Sequence, residues 1–184
     1  GVAGHQISHS QGVEIDYMEI KNLETASKSW RVLTQELSTS NDYMFLNTTN
    51  AATKASTANW DLFEDYISLP AVDDENQADL EHIMYYKCKS ETFTIGTYTG
   101  TGVAGNFVET KDVNGVARRP ARVIIKNVSA VGSWVVYDNK RNSNSVLYLD
   151  LAVAETGTLS VVFSAYGFTL GGNHAYMNAI GVTH

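Results

Sequence analysis

Internal repetition constrains this 184-residue chain more than any other feature. The tetrapeptide GVAG at 1–4 returns at 102–105, an offset of 101 residues. IKN at 20–22 returns at 125–127 and Trp30 returns as Trp134, while YMFLN at 43–47 and YISL at 66–69 correspond to VLYLD at 146–150 and GFTL at 167–170. The successive offsets of 105, 104, 103 and 101 drift by only a few residues. A duplicated unit leaves this trace when insertions fall in turns, whereas chance matches scatter. The expectation is two copies of about 90 residues. They span 1–92 and 93–184, and pack as two sandwiches or as one body.

Periodicity predicts β structure in these copies. VIIKN at 123–127, SWVVYD at 133–138, SVLYLDL at 145–151, LSVVFS at 159–164 and YGFTLGG at 166–172 are short Val-, Tyr- and Phe-rich runs bounded by Gly, Asn and Ser. Such runs at regular spacing mark a sandwich or barrel. NQADLEHIMYYKC at 76–88 has a polar start and apolar spacing that suits a helix, but its counterpart NHAYMNAIGV at 173–182 reads as extended. A loop followed by a strand is therefore expected over 76–88.

Composition excludes several classes of function. Thirteen Lys and Arg against 20 Asp and Glu give a net charge of −7, and the basic residues are scattered apart from ARRPAR and NKR. That balance argues against a nucleic-acid groove, which needs a positive face to neutralise phosphates. No stretch approaches the roughly 20 apolar residues of a membrane helix, so no membrane insertion is expected. Cys88 is the single cysteine, which rules out an internal disulfide and predicts a buried thiol. The chain starts with Gly1 rather than Met, and repeat one lacks the FTIGTYTGTG lead-in of repeat two. Both point to excision from a longer polypeptide.

The pattern IIKN, a short Ser/Ala/Gly loop, SWVVYD, an Arg, LYLD and then GFTLG resembles the tandem β-sandwich modules of tail-fibre and other virion structural proteins of tailed bacteriophages. The resemblance covers essentially the whole chain. It implies an all-β fold, an antiparallel β-sandwich of jelly-roll or concanavalin-like type built from two sequence repeats. It also implies a virion location, other virion proteins as partners, homo-oligomeric assembly, and binding to a host surface or glycan. Repeat one departs from the pattern, with SWRVLTQEL in place of SWVVYDNKR.

Candidate binding residues follow from side-chain chemistry. Trp30 and Trp134 sit beside alternating strands, where an indole buries a large area and fixes sheet-on-sheet packing. The competing reading makes them stacking platforms for a sugar ring. Trp60 lies in the polar run TANWDLFEDY, has no counterpart in repeat two, and is the better platform candidate. Asp138 and Arg141 flank a short DNKR turn and can pair to hold a loop rigid beside a ligand. Lys21–Asn22 and Lys126–Asn127 end a strand in each copy, where Asn favours a turn.

Metal and catalytic signals are weak. Asp73, Asp74, Glu75 and Asp79 form the densest acidic run, but it lacks the regular spacing and central glycine of a calcium loop. His5 and His9 lie about 13 Å apart in an extended chain, so they do not share a metal. There is no phosphate loop, HExxH, GxSxG elbow or zinc-type cysteine set. Glu14, Asp16, Asp61, Glu64 and Asp65 supply carboxylates without a spacing that singles out a glycosidase pair. With these signals weak, the function expected from the resemblance is non-enzymatic and cofactor-free: a tail-fibre or other surface-fibre module for host-surface or glycan recognition, its loops carrying the contacts. A purely architectural capsid or tail decoration protein is the first alternative, and a glycan depolymerase module the second.

Overall fold

The computed structural model describes residues 4–37, 42–54, 60–70, 76–157 and 160–184. Those residues form strands, turns and loops, with no helix among them. The chain divides into two compact units, unit 1 comprising 1–46 and 52–95 and unit 2 comprising 47–51 and 96–184.

Unit 1 contains eight strands: β1 (His5–Ser8), β2 (Ile15–Asn22), β3 (Arg31–Thr34), β4 (Asp42–Phe45), β5 (Thr53–Lys54), β6 (Asp61–Leu62), β7 (Tyr66–Leu69) and β8 (His82–Cys88). They pair antiparallel in two sheets, ordered β5-β4-β3-β2-β8 and β1-β7-β6. The core lies between them, with Ile15, Met18, Ile20 and Leu33 from the larger sheet meeting Trp60, Leu62, Ile67 and Leu69 from the smaller. Alternation in IDYMEIKN produces this arrangement, because Met18 and Ile20 point inward while Tyr17, Glu19 and Lys21 take the other face. A register shift between Ile15 and Tyr17 inserts Asp16 as an extra residue and lets Ile15 also reach the core. Each fully buried aliphatic side chain contributes on the order of 1.5–3 kcal/mol.

Unit 2 contains β9 (Asn106–Glu109), β10 (Arg122–Ile125), β11 (Val135–Asp138), β12 (Ser145–Tyr148), β13 (Thr156–Gly157), β14 (Val161–Ser164) and β15 (Gly167–Leu170). Its sheets are ordered β10-β11-β12-β13 and β14-β15-β9, again antiparallel. Ile125, Val135, Tyr137 and Val146 meet Val161, Phe168, Leu170 and Met177 across the interior. Each unit is thus an antiparallel β-sandwich.

Apart from β2–β8, the ladders of the two units correspond pair for pair among the described residues. His5↔Leu69 and Asn106↔Leu170 occupy matching positions at an offset of 101, as do Leu62↔Ile67 and Phe163↔Phe168. Ile20↔Arg31 corresponds to Ile125↔Val135, Arg31↔Phe45 to Val135↔Tyr148, and Asp42↔Lys54 to Ser145↔Gly157. The drift in offset falls in the connections between strands rather than within any strand. A slip inside a ladder would turn every inward side chain outward.

Residues 76–88 form a loop and then strand β8. The segment 173–182, expected to be extended, consists instead of loop and turns, with Asn178 and Met177 amides bonded back to the His174 carbonyl. Cys88, expected to be buried, is half-buried, with its Sγ 3.8 Å from the Val13 carbonyl oxygen. Asn22 closes the turn after β2, its Oδ1 accepting from the amides of Glu24 and Thr25 at 3.0 and 2.8 Å. Asn127 holds the corresponding place in unit 2 by donating to the carbonyls of Val131 and Ala175.

Candidate aromatic recognition face

The outer face of the five-stranded sheet in unit 1 gathers exposed and half-buried aromatic and charged side chains from β2 and β8. Register sets it up: β2 pairs with β8 so that Glu19 lies opposite Tyr85 and Tyr17 opposite Lys87, all four on the face away from the core. Trp30, immediately before β3, stacks on Tyr85 with ring centroids 6.1 Å apart and planes at 26°. Tyr85 is 52% exposed and Trp30 half-buried, so the stack is reachable from solvent. Beyond it, Tyr17 meets Phe93 edge-on at 6.2 Å, and the Lys87 ammonium lies 4.9 Å from the Phe93 ring centroid. Tyr17, Glu19, Met84, Tyr85, Tyr86 and Lys87 line a cleft of about 400 Å³.

Electrostatics distinguish this face from a plain apolar patch. Burial raises the Glu19 carboxyl above its ordinary value, opposed by the hydrogen bond from Tyr17 and the charge of Lys87. The Tyr17 hydroxyl donates to Glu19 Oε2 at 3.4 Å, and burial first and this neighbour second push the phenol well up. A partly desolvated carboxylate and an ammonium thus flank aromatic planes. Apolar faces can take the C–H surface of a pyranose, while the charged groups bond its hydroxyls.

Trp60 is no platform. It is 4% exposed within the unit 1 core, and its indole nitrogen donates to the Asp42 carbonyl at 3.1 Å. Two-residue alternation explains the correction: Trp60 and Leu62 face inward while Asp61 is exposed, so the polar neighbours misled. Nor is Trp60 without a counterpart, because the 101-residue offset of the β6–β7 ladder sets it against buried Val161. Trp134 is buried, as packing predicted, whereas Trp30 is the indole that reaches the surface.

Asp138 and Arg141 do pair. Asp138 Oδ1 accepts from the amides of Lys140 and Arg141 at 3.0 Å, and Oδ2 from Arg141 Nε at 2.5 Å. Arg141 also donates from Nη1 to Glu155 and from Nη2 to the Val136 carbonyl. The Arg141 hydrogen bond and the turn amides hold the Asp138 carboxyl below its ordinary value. With all three guanidinium nitrogens engaged, the pair braces the β11–β12 turn. Among the acidic run, Asp73, Asp74 and Glu75 lie outside the described residues, and Asp79 is exposed at φ 60°. No group of three or more His, Cys, Asp or Glu suited to a metal occurs among the described residues. His5 and His9 turn to separate partners, Asn76 and the Phe63 carbonyl. The described residues also include no helix long and apolar enough to cross a membrane.

A family model, described as a domain of unknown function, matches residues 1–184. The chain belongs to the DUF7483 family. No curated protein and no solved structure matches this DUF7483 chain. The Trp30–Tyr85 stack was missed at the sequence level because its members lie far apart in the chain and meet only through the β2–β8 register. The signal available was the alternation in HIMYYKC, which sets Tyr85 and Lys87 on one face.

Proposed function

We propose that this DUF7483 chain is a non-enzymatic recognition module of a tailed-phage virion, carried on a tail fibre or another surface fibre, that binds host-surface glycan. The observation that carries the reading is the solvent-reachable Trp30–Tyr85 stack beside Glu19 and Lys87 on one sheet face. The phage context rests on the resemblance of the strand-and-loop pattern. In this reading the sheet face of unit 1, rather than the loop ends, holds the sugar, with Trp30 and Tyr85 supplying planes and Glu19 and Lys87 supplying hydrogen bonds.

The test is binding of the purified chain to a panel of bacterial surface polysaccharides and to whole cells, with light scattering alongside. Saturable binding that Trp30→Ala and Tyr85→Ala each abolish, with an unchanged thermal transition, supports the reading. Release of new reducing ends would convert it to a depolymerase. Absence of binding together with a defined oligomer would favour the architectural alternative. One feature speaks for that alternative: Ile124, Leu147, Leu149, Leu151 and Val153 are all exposed in unit 2, an apolar surface of the kind that subunit contacts cover.

A further inference from the structure

We infer that the free edge of β10 is a strand-acceptor site, built to take one extended polypeptide segment antiparallel to Arg122–Ile125. Ladder correspondence carries the inference. In unit 1, β2 is paired on both sides, by β3 and by the seven-residue β8. Its counterpart β10 pairs with β11 on one side, and among the described residues no strand pairs with the other. The approach to that edge is already formed, since the Val128 amide bonds the Thr183 carbonyl as the Leu23 amide bonds the Glu81 carbonyl just ahead of β8.

The core shows what the missing strand supplies. Met84, Tyr86 and Cys88 of β8 pack against the unit 1 core and leave Met18 and Ile20 at 0 and 2% exposure. At the matching places in unit 2, Ile125 is 4% exposed but Val123 is only half-buried, and Ile124, at the outer-face place of Glu19, is 45% exposed. An unpaired row of backbone N–H and C=O groups beside incompletely covered apolar side chains is a template for strand addition. The register fixes the chemistry of the occupant. Met84 faces Ile20 and Tyr86 faces Met18, so apolar residues belong opposite Ile125 and Val123. Lys87 faces Tyr17, whereas the same place in unit 2 faces Arg122, which calls for an acidic residue there. The occupant is an extended segment with alternating apolar side chains and a carboxylate opposite Arg122.

Two forms of the full chain and one peptide test this. The peptide carries the Glu81–Lys89 sequence with Lys87→Glu and Cys88→Ser. It is added in trans to the 184-residue chain, or its Ile83–Lys89 portion is joined directly after His184. Saturable binding in trans is expected, with exchange of those Arg122–Ile125 amides that point away from β11 slowed about tenfold or more. N-methylation of the peptide amides that face β10 should abolish both effects, while methylation of the opposite amides leaves them. The joined form should raise the midpoint of unit 2 unfolding by about 4 °C or more. Edge-facing amides of β10 that remain fast with peptide in both forms, or that are already slow in the unmodified chain at every concentration, would overturn the inference. Protection that grows with chain concentration in the absence of peptide would assign the edge to a second copy and overturn the occupant named here.

Discussion

Replacing Trp60 by alanine separates a core indole from a binding platform. Trp60 is 4% exposed and packs with Ile15, Met18, Leu62 and Ile67. Truncating a buried Trp to Ala costs about 3–5 kcal/mol. Loss of the indole N–H also strips the Asp42 carbonyl of a donor, at about 1–3 kcal/mol if no water replaces it. The combined cost of about 5 kcal/mol reaches the lower end of the roughly 5–15 kcal/mol that holds a domain folded. Trp60→Ala should therefore unfold unit 1 or leave it marginal. Trp60→Phe, which keeps a ring and loses the donor, should cost about 1–2 kcal/mol. Urea unfolding, followed by amide exchange in β6 and β7, reads both variants. A Trp60→Ala chain whose stability stays within about 0.5 kcal/mol of the parent, yet no longer binds glycan, would place the indole at the surface and refute the reasoning.

Removing one ring of the exposed stack should do the reverse: Trp30→Ala or Tyr85→Ala costs about 0.5–1.5 kcal/mol of packing while glycan binding is lost, as paired melting and binding curves would show. Lys126 is buried, with Nζ donating to the carbonyls of Thr49 and Gly132, and desolvation lowers its pKa from 10.5 to about 8 against the opposing charge of Asp150. Between about pH 8 and 10.5 the unfolded chain holds a proton the native chain has lost, so native stability rises with pH across that window, by at most about 3 kcal/mol. Unfolding curves at pH 7.5 and 10 should show this rise in the parent and not in Lys126→Met, and a parallel response of the two would refute it. Gly167 sits at φ 157°, and a β-carbon added there would lie only 2.1 Å from the Val108 carbonyl oxygen, so Gly167→Ala must push β15 from β9 and should cost more than about 2 kcal/mol by chemical denaturation.

Strand content was legible because both copies carry short alternating runs closed by turn residues, and the anchors IKN, Trp30/Trp134, YMFLN/VLYLD and YISL/GFTL fall at matching ladder positions. The candidate site was not legible to the same degree. Local polarity around Trp60 suggested exposure, yet its inward orientation is a two-residue phase that neighbouring Leu62 also obeys. Trp30 and Trp134 share a place in the pattern but differ in surroundings: half-buried Trp30 stacks on Tyr85 of β8, whereas Trp134 is 5% exposed with the Lys126 ammonium 5.9 Å from its ring. Asp138 and Arg141 were recognisable as a pair from their spacing. Their saturation by Glu155 and the Val136 carbonyl depended on contacts that spacing does not reveal.

The constancy of offset within each strand, and its change only in the connections between strands, makes the loops interchangeable parts. Going from β1 to β2, the offset moves from 101 to 105 without disturbing one inward side chain. Whole connections can therefore be lengthened, shortened or transplanted between corresponding places, as the loop leading to Trp30 could be moved to the place of the one leading to Trp134. Such a chimera would carry a new connection into the second sandwich while its strands kept their pairing. A scaffold of this kind can change what it touches by trading connections, at little cost to what holds it together.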